Sequence, residues 1–95
     1  MALGVLSGFN VTRLTTTAAT TVTTDPSYVC ARLTAGAATA KLRIFNGSTA
    51  AAAQVAILSC SAANTADELS VPLRCPAGVR VLMSVNTATA FIFVR

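Results

Sequence analysis

The stretch LRIFNGSTAAAAQVAIL, residues 42–58, decides the fold class of this 95-residue chain. Its Asn46-Gly47 pair lies between two apolar runs, which is typical of a β-hairpin, because both residues accept the positive φ of tight turns. The alanine run that follows favours a helix instead. Such a helix would have almost no polar face, since only one glutamine and one serine would supply it. The stretch therefore predicts a strand, a loop over residues 49–52 and a returning strand over residues 53–60.

On both sides of this hairpin, apolar and polar side chains alternate along the chain. Successive side chains of a strand point to opposite faces of a sheet, so this alternation predicts strands with one buried face. The last segment, residues 89–95, is apolar at nearly every position, which is typical of a strand covered on both faces. The alternating segments are residues 28–35, 40–45, 68–75 and 79–85.

Turn-forming residues separate these strands at intervals of roughly 8–12 residues, a spacing typical of sandwiches and barrels. We therefore predict an all-β fold, an antiparallel, jelly-roll-like β-sandwich of seven to eight short strands. Pro72 cannot donate a ladder hydrogen bond, which predicts a sheet edge or a bulge for its strand. The threonine-rich segment 14–24 favours an exposed strand over a disordered linker, since threonine is β-branched. Residues 11–95 then form a single domain, and residues 1–10 form an N-terminal arm.

The alternation also predicts which side chains fill the core. Phe91 and Phe93 lie in the apolar terminal segment, and we expect both to pack in the core. Ten further apolar residues are expected to be largely buried: Leu33, Leu42, Ile44, Val55, Ile57, Leu69, Val71, Val81, Met83 and Ile92.

Composition and cysteine count exclude several classes of function. The net charge of +4 comes from seven dispersed basic residues against only three acidic ones, without the basic cluster typical of a nucleic-acid site. Cys30, Cys60 and Cys75 form no C-x-x-C pair and the chain has no histidine, so no metal site is expected. An odd count does not fit a secreted disulfide framework, which predicts three buried free thiols. One disulfide with a leftover thiol is the alternative.

The first nine residues, MALGVLSGF, lack the basic start and continuous apolar core of a signal peptide. No window approaches the ~18 uninterrupted apolar residues of a membrane span. We therefore expect a soluble chain made in the cytoplasm and without a membrane partner. The two glycosylation triplets, at Asn10 and Asn46, are accordingly expected to carry no sugar.

No arrangement of residues predicts catalysis or a cofactor. Without histidine, a general base would have to be a carboxylate, lysine, tyrosine or cysteine. Asp67 and Glu68 are adjacent, so on a strand their side chains point to opposite faces and cannot share a site. There is no glycine-rich phosphate loop. We expect a protein that is not an enzyme, with no catalytic residues and no cofactor.

An oligonucleotide-binding β-barrel is an alternative class. Binding of single strands needs aromatic and basic residues interleaved on one sheet face. Tyr28 with Arg32 is the one such pairing within the predicted strands, so no specific nucleic-acid partner is expected.

The order of strands and turns from residue 25 to residue 95 resembles that of small β-sandwich virion proteins of tailed bacteriophages. The resemblance rests on LRIFNGSTA with a returning QVAIL, on CPAGVRVLMSV, in which Gly78 opens the penultimate strand, and on the closing NTATAFIFVR. The threonine-rich segment and the high alanine content depart from that pattern.

The resemblance implies a capsid decoration (cement) protein. Such proteins sit on the capsid surface of the virion as homo-oligomers, and they clamp neighbouring subunits of the major capsid protein. It therefore implies a structural function, with the major capsid protein as partner and a dimer or trimer as the assembled form. A tail- or fibre-associated component of the particle is the alternative within the same class.

The N-terminal arm supplies the candidate interface residues. Its apolar side chains are too many for a free tail, and Gly4 and Gly8 interrupt any strand. We expect the arm to lie across another subunit, with four interface residues: Leu3, Val5, Leu6 and Phe9.

Overall fold

The structure, a computed structural model, describes residues 9–36 and 39–95. Within these residues the chain forms eight strands and no helix. The strands are β1 (Asn10–Leu14), β2 (Thr20–Thr23), β3 (Ser27–Thr34), β4 (Ala40–Asn46), β5 (Ala53–Cys60), β6 (Ala66–Cys75), β7 (Val79–Met83) and β8 (Thr89–Val94).

The strands form two four-stranded sheets in which every neighbouring pair is antiparallel. Sheet A has the order β1-β8-β3-β6, and sheet B has the order β2-β7-β4-β5. This interleaved order is that of an eight-stranded jelly roll, in which the chain crosses repeatedly between two packed sheets. The predicted all-β, jelly-roll-like sandwich is therefore confirmed.

The stretch LRIFNGSTAAAAQVAIL, residues 42–58, forms most of the β4–β5 hairpin. Asn46 pairs with Ala53, so the connection is a six-residue loop rather than a two-residue turn. Gly47 has a φ of 141°, and the Ala52 N–H donates to the Thr49 carbonyl at 3.1 Å inside the loop. Three of the four alanines lie in this loop, and the fourth begins β5. The predicted strand over residues 53–60 is confirmed.

The core lies between the two sheets. Of the ten residues predicted to fill it, six have at most 1% of their surface exposed: Leu33, Leu42, Ile44, Val81, Met83 and Ile92. Leu69 is half-buried and packs against the core. The prediction is wrong for Val55, Ile57 and Val71, which are 38%, 43% and 73% exposed.

Strand β5 explains two of these three errors. Directly paired residues of an antiparallel ladder share one face. Leu42 pairs with Leu58, and Arg43 pairs with Ile57. Leu58 therefore enters the core beside Leu42, while Ile57 faces solvent beside Arg43. A register shift at Phe45 places Val55 in a bulge, where it is exposed as well.

A bulge in β6 explains the third error. Val29 pairs with Leu73 but Ala31 pairs with Leu69, so three residues of β6 lie opposite Cys30 alone. Val71 is in the middle of this bulge and leaves the core. The next residue, Pro72, has no N–H to donate, and β6 is also the last strand of sheet A. Pro72 thus lies in a bulge of an edge strand, so both forms of the prediction are confirmed.

The threonine-rich segment is part strand and part connection. Leu14 ends β1, residues 15–19 link the two sheets, and Thr20–Thr23 form β2 at the edge of sheet B. A strand is therefore present, but it is shorter than residues 14–24 and mostly half-buried rather than exposed. Strand β2 packs closely on Gly78, in the turn before β7. A Cβ atom at Gly78 would lie only 2.6 Å from the Thr23 carbonyl oxygen. Gly78 also has a φ of 106°, which other residues rarely adopt.

Candidate docking face

The outward side of sheet A carries an unusual concentration of aromatic and arginine side chains. On β8, the side chains of Ala90, Ile92 and Val94 point into the core, so those of Phe91 and Phe93 point outward. The expectation that both phenylalanines pack in the core is therefore wrong for Phe91, which is half-buried. Phe93 is buried as expected, with 9% of its surface exposed, although it lies outside the cluster between the sheets.

Arginines surround these rings because the strand order brings distant parts of the sequence together. Phe91 pairs with Arg13 on β1 and with Arg32 on β3, so it has an arginine on each side. Tyr28 pairs with Arg74 on β6, and its backbone exchanges two hydrogen bonds of 3.0 Å with Arg95. We call this surface the arginine–aromatic face; it comprises Phe9, Arg13, Tyr28, Arg32, Arg74, Phe91, Phe93 and Arg95.

Two of the arginines cover aromatic rings of the face. The Arg74 guanidinium carbon lies 5.7 Å from the centre of the Tyr28 ring, and that of Arg95 lies 5.9 Å from the centre of the Phe9 ring. Both distances are within the range of cation–π attraction. Phe9, Tyr28 and Arg95, together with Pro72, line a shallow groove of about 380 Å³.

The face carries a net positive charge. Arg32 pairs with Glu68 at 3.3 Å, but both side chains are nearly half exposed, so this ion pair contributes little to stability. Four arginines against this one glutamate leave a formal charge of +3. Asp67, the neighbour of Glu68, lies on the opposite phase of β6, where its carboxylate accepts from the Ser59 N–H at 3.0 Å.

Exposed aliphatic side chains accompany the charges. Val11 pairs with Phe93, so it lies on the same face, and it is 58% exposed. Val71, in the β6 bulge next to Pro72, is the most exposed large apolar side chain of the described residues. A surface that combines aromatic rings, arginines and exposed valines has the composition of a protein interface.

The interface residues predicted from sequence are only partly placed. Leu3, Val5 and Leu6 lie outside the described residues. Phe9 is half-buried and belongs to the arginine–aromatic face through its contact with Arg95. Five other residues of the face had a sequence signal: Tyr28 and Arg32 share one phase of their strand, and Phe91, Phe93 and Arg95 share one phase of theirs.

The outward side of sheet B is a second, smaller basic surface. Arg43 pairs with Leu82 and Ile57, and Phe45 pairs with Arg80. Lys41 lies on the same phase of β4 as Arg43. The seven basic residues of the chain are thus divided between the two broad sides of the sandwich, four on sheet A and three on sheet B.

The three cysteines are free and buried. Burial raises the pKa of the Cys30 and Cys75 thiols, which keeps them protonated and unreactive at neutral pH. The Cys30 Sγ lies 3.8 Å from the Ser70 carbonyl oxygen, and the Cys60 Sγ lies 3.7 Å from that of Leu33. These thiols are part of the packing of the sandwich.

Over residues 9–36 and 39–95, no three metal-ligating side chains come together. None of the elements described is a helix long and apolar enough to cross a membrane. Comparison of the chain with protein-family models, curated proteins and solved structures gives no match.

Proposed function

We propose that this chain is a structural protein of a bacteriophage virion, which decorates the capsid surface and stabilises it by bridging subunits of the major capsid protein. The observation that carries the proposal is the arginine–aromatic face, an extended contact surface on a small jelly roll. The resemblance of residues 25–95 to phage virion proteins supplies the class of particle. Jelly rolls recur in viral capsid domains, although a fold alone does not set a function.

The chemistry of the face suits a clamp. Tyrosine and arginine are the residues that most often dominate binding energy at protein interfaces, and the face offers Tyr28 with four arginines. Contacts of modest strength gain from multivalency when each copy belongs to a dimer or trimer. A two-sheet scaffold holds these side chains in place, and a clamp needs no catalytic group.

The direct test is attachment to particles. Virions of the phage that encodes the chain are purified on a gradient, and mass spectrometry determines whether the chain is present. Particles that lack it are then incubated with the wild type, with Tyr28→Ala/Arg74→Ala, or with Lys41→Ala on sheet B as the control. We expect the double variant to rebind at least tenfold more weakly and the control to rebind as the wild type does.

Two results would refute the proposal: absence of the chain from purified virions, or equal rebinding by the double variant and the wild type. Immunogold labelling separates the alternatives within the particle. Label on the head supports capsid decoration, whereas label confined to the tail identifies a tail- or fibre-associated component.

A second candidate function is the binding of single-stranded nucleic acid. A closed oligonucleotide-binding barrel does not fit two separate four-stranded sheets. The face itself favours the candidate, since Tyr28, Phe91 and Phe93 lie on the two central strands of sheet A among arginines, an arrangement that can stack bases. It ranks second because Phe93 is almost fully covered and because the exposed valines would have no role.

A further inference from the structure

We infer that the arginine–aromatic face binds a carboxylate-rich, partly apolar segment of another protein, with Arg13 and Arg32 as the residues that bind its carboxylates. This inference rests on the proposed function in taking the face as the docking surface, and it adds the chemistry of the partner.

The positive charge of the face favours a negatively charged partner. With four arginines and one glutamate, two copies placed face to face would each present +3 to the other. Like charges brought together at an interface oppose association, so a second copy is a poor occupant. A segment rich in aspartate or glutamate is complementary and gains a faster, salt-dependent encounter.

Arg13 and Arg32 are the arginines of the face whose guanidinium groups are not stacked on its aromatic rings, whereas Arg74 and Arg95 cover Tyr28 and Phe9. Arg13 is exposed and has no ion-pair partner within the described part of the chain. Arg32 has one nitrogen 3.3 Å from Glu68, which leaves its other N–H groups for a ligand. A guanidinium can bind a carboxylate through two parallel hydrogen bonds, which lysine cannot do.

The positions of these two arginines fit an extended segment. They lie on β1 and β3, on either side of Phe91 on β8, so their backbones are about 10 Å apart across two strand spacings. A segment that crosses the strands can place a carboxylate on each arginine and an apolar side chain between them on Phe91.

The exposed valines favour protein over nucleic acid as the occupant. Val11 is 58% exposed beside Phe93, so covering its side chain removes apolar surface from water and favours binding. Leucine-like side chains of a protein segment can cover Val11, whereas a single-stranded nucleic acid offers charged phosphates and flat bases. The partner segment is therefore expected to mix acidic and aliphatic residues.

The experiment measures binding of three labelled probes to the intact chain by fluorescence anisotropy. The probes are a twelve-residue peptide of Glu-Glu-Leu repeats, its Gln-Gln-Leu counterpart and a twelve-nucleotide oligothymidine. The variants are Arg13→Ala/Arg32→Ala and Val11→Ser. The matched control is Lys41→Ala/Arg43→Ala, which removes the same charge from sheet B. Circular dichroism and thermal unfolding verify that each variant is folded.

We expect the glutamate peptide to bind at least tenfold more tightly than the glutamine peptide, and more weakly at 200 mM than at 50 mM salt. The affinity for the glutamate peptide should fall at least tenfold in Arg13→Ala/Arg32→Ala and a few fold in Val11→Ser. The control should bind this peptide like the wild type. Tighter binding of oligothymidine would overturn the inference in favour of nucleic acid. Equal losses in both double variants would overturn it too, because they would report net charge alone.

The peptide assay and the particle assay can fail separately. Attachment to virions through this face without binding of the glutamate peptide would leave the proposed function standing and refute an acidic partner. Binding of the glutamate peptide by a chain that is absent from virions would support an acidic partner and refute the proposed function.

Discussion

At the scale of single residues, Ile57 and Leu58 show how pairing decides burial. They are neighbours of similar size, yet Ile57 is 43% exposed and Leu58 is 5% exposed. The difference comes from β4, where Arg43 occupies the outward phase and Leu42 the inward one. An arginine without a buried partner cannot enter the core, so the register that keeps it outside places Ile57 outside with it.

We predict that Leu58→Ala lowers the free energy of unfolding by about 2–5 kcal/mol, because it leaves a cavity between the sheets. Ile57→Ala should cost about 1 kcal/mol or less, since its side chain is partly in water already. Urea denaturation of both variants measures the difference. Equal losses, or a larger loss at Ile57, would mean that β5 presents its other face to the core.

Five of the six fully buried residues that were predicted correctly have a polar neighbour in sequence, and Ile92 is the exception. Leu42 lies between Lys41 and Arg43, and Val81 follows Arg80, so only one phase of each strand can be buried. In QVAILSC both phases are apolar, and in FIFV every residue is. In these segments the sequence alone does not determine which face of the strand is buried, because the neighbouring strands determine it.

At the scale of elements, the edge of sheet B is tied to sheet A by one carboxylate. Strand β5 is an edge strand, so alternate N–H groups along it have no ladder partner. Asp67 on β6 accepts from the Ser59 N–H at 3.0 Å and from the Glu68 N–H at 2.9 Å. Its side chain thus joins the two sheets at the end where β5 and β6 meet.

We expect Asp67→Ala to lower the free energy of unfolding by about 1–2 kcal/mol, because two backbone N–H groups lose their acceptor. Asp67→Asn keeps one carbonyl oxygen and should lose roughly half as much. Hydrogen exchange at the Ser59 amide should accelerate in the alanine variant. An unchanged exchange rate together with unchanged stability would show that water replaces the carboxylate without cost.

The candidate site was less predictable than the fold, for a topological reason. Arg13, Arg32 and Phe91 belong to strands that are far apart in sequence and that become neighbours only through the order β1-β8-β3. The alternation along each strand shows which residues share a side of that strand. It does not show which strands lie next to each other. The arginine–aromatic face can therefore be recognised only from the strand order of sheet A.

At the scale of the whole molecule, the jelly roll is a flat body with Cα extents of 34 × 33 × 17 Å. Its thin dimension runs from sheet A to sheet B, so the two basic surfaces lie on opposite broad sides. A body of this shape can be held between two partners at once, which is the geometry that bridging requires.

Because the thiols are buried, the stability of the whole molecule is expected to fall at alkaline pH. Burial raises the pKa of Cys30 and Cys75, so above the ordinary thiol value of about 8.5 the unfolded chain loses protons that the folded chain retains. Stability is therefore complete below that pH and falls as the pH rises above it. Each thiol contributes a slope of at most about 1.4 kcal/mol per pH unit.

We predict that Cys30→Ala/Cys75→Ala flattens this decline, whatever the variant costs at neutral pH. Urea denaturation between pH 7 and pH 10.5 in the presence of a reducing agent measures the two slopes. Parallel slopes for the variant and the wild type would show that the thiols do not cause the decline.

Deletion of residues 1–8 tests the N-terminal arm. The described sandwich begins at residue 9, and its first strand begins at Asn10, so the truncated chain is expected to keep its β-sheet circular dichroism. Attachment to particles should weaken, because burial of Leu3, Val5 and Leu6 would contribute ~1.5–3 kcal/mol each before ordering costs. Undiminished attachment would assign the whole contact to the arginine–aromatic face.

The β6 bulge at Pro72 has a consequence for copies of the chain held at high local density. Crowded β-proteins tend to polymerise when the free edge of one sheet adds to that of the next. At this edge of sheet A the ladder is interrupted and one N–H is missing. The edge strands β1 and β2 span only five and four residues, and the longer edge strand β5 is interrupted by the bulge at Val55. Growth into fibrils is thereby discouraged, and a shell of such molecules can remain an array of separately folded units.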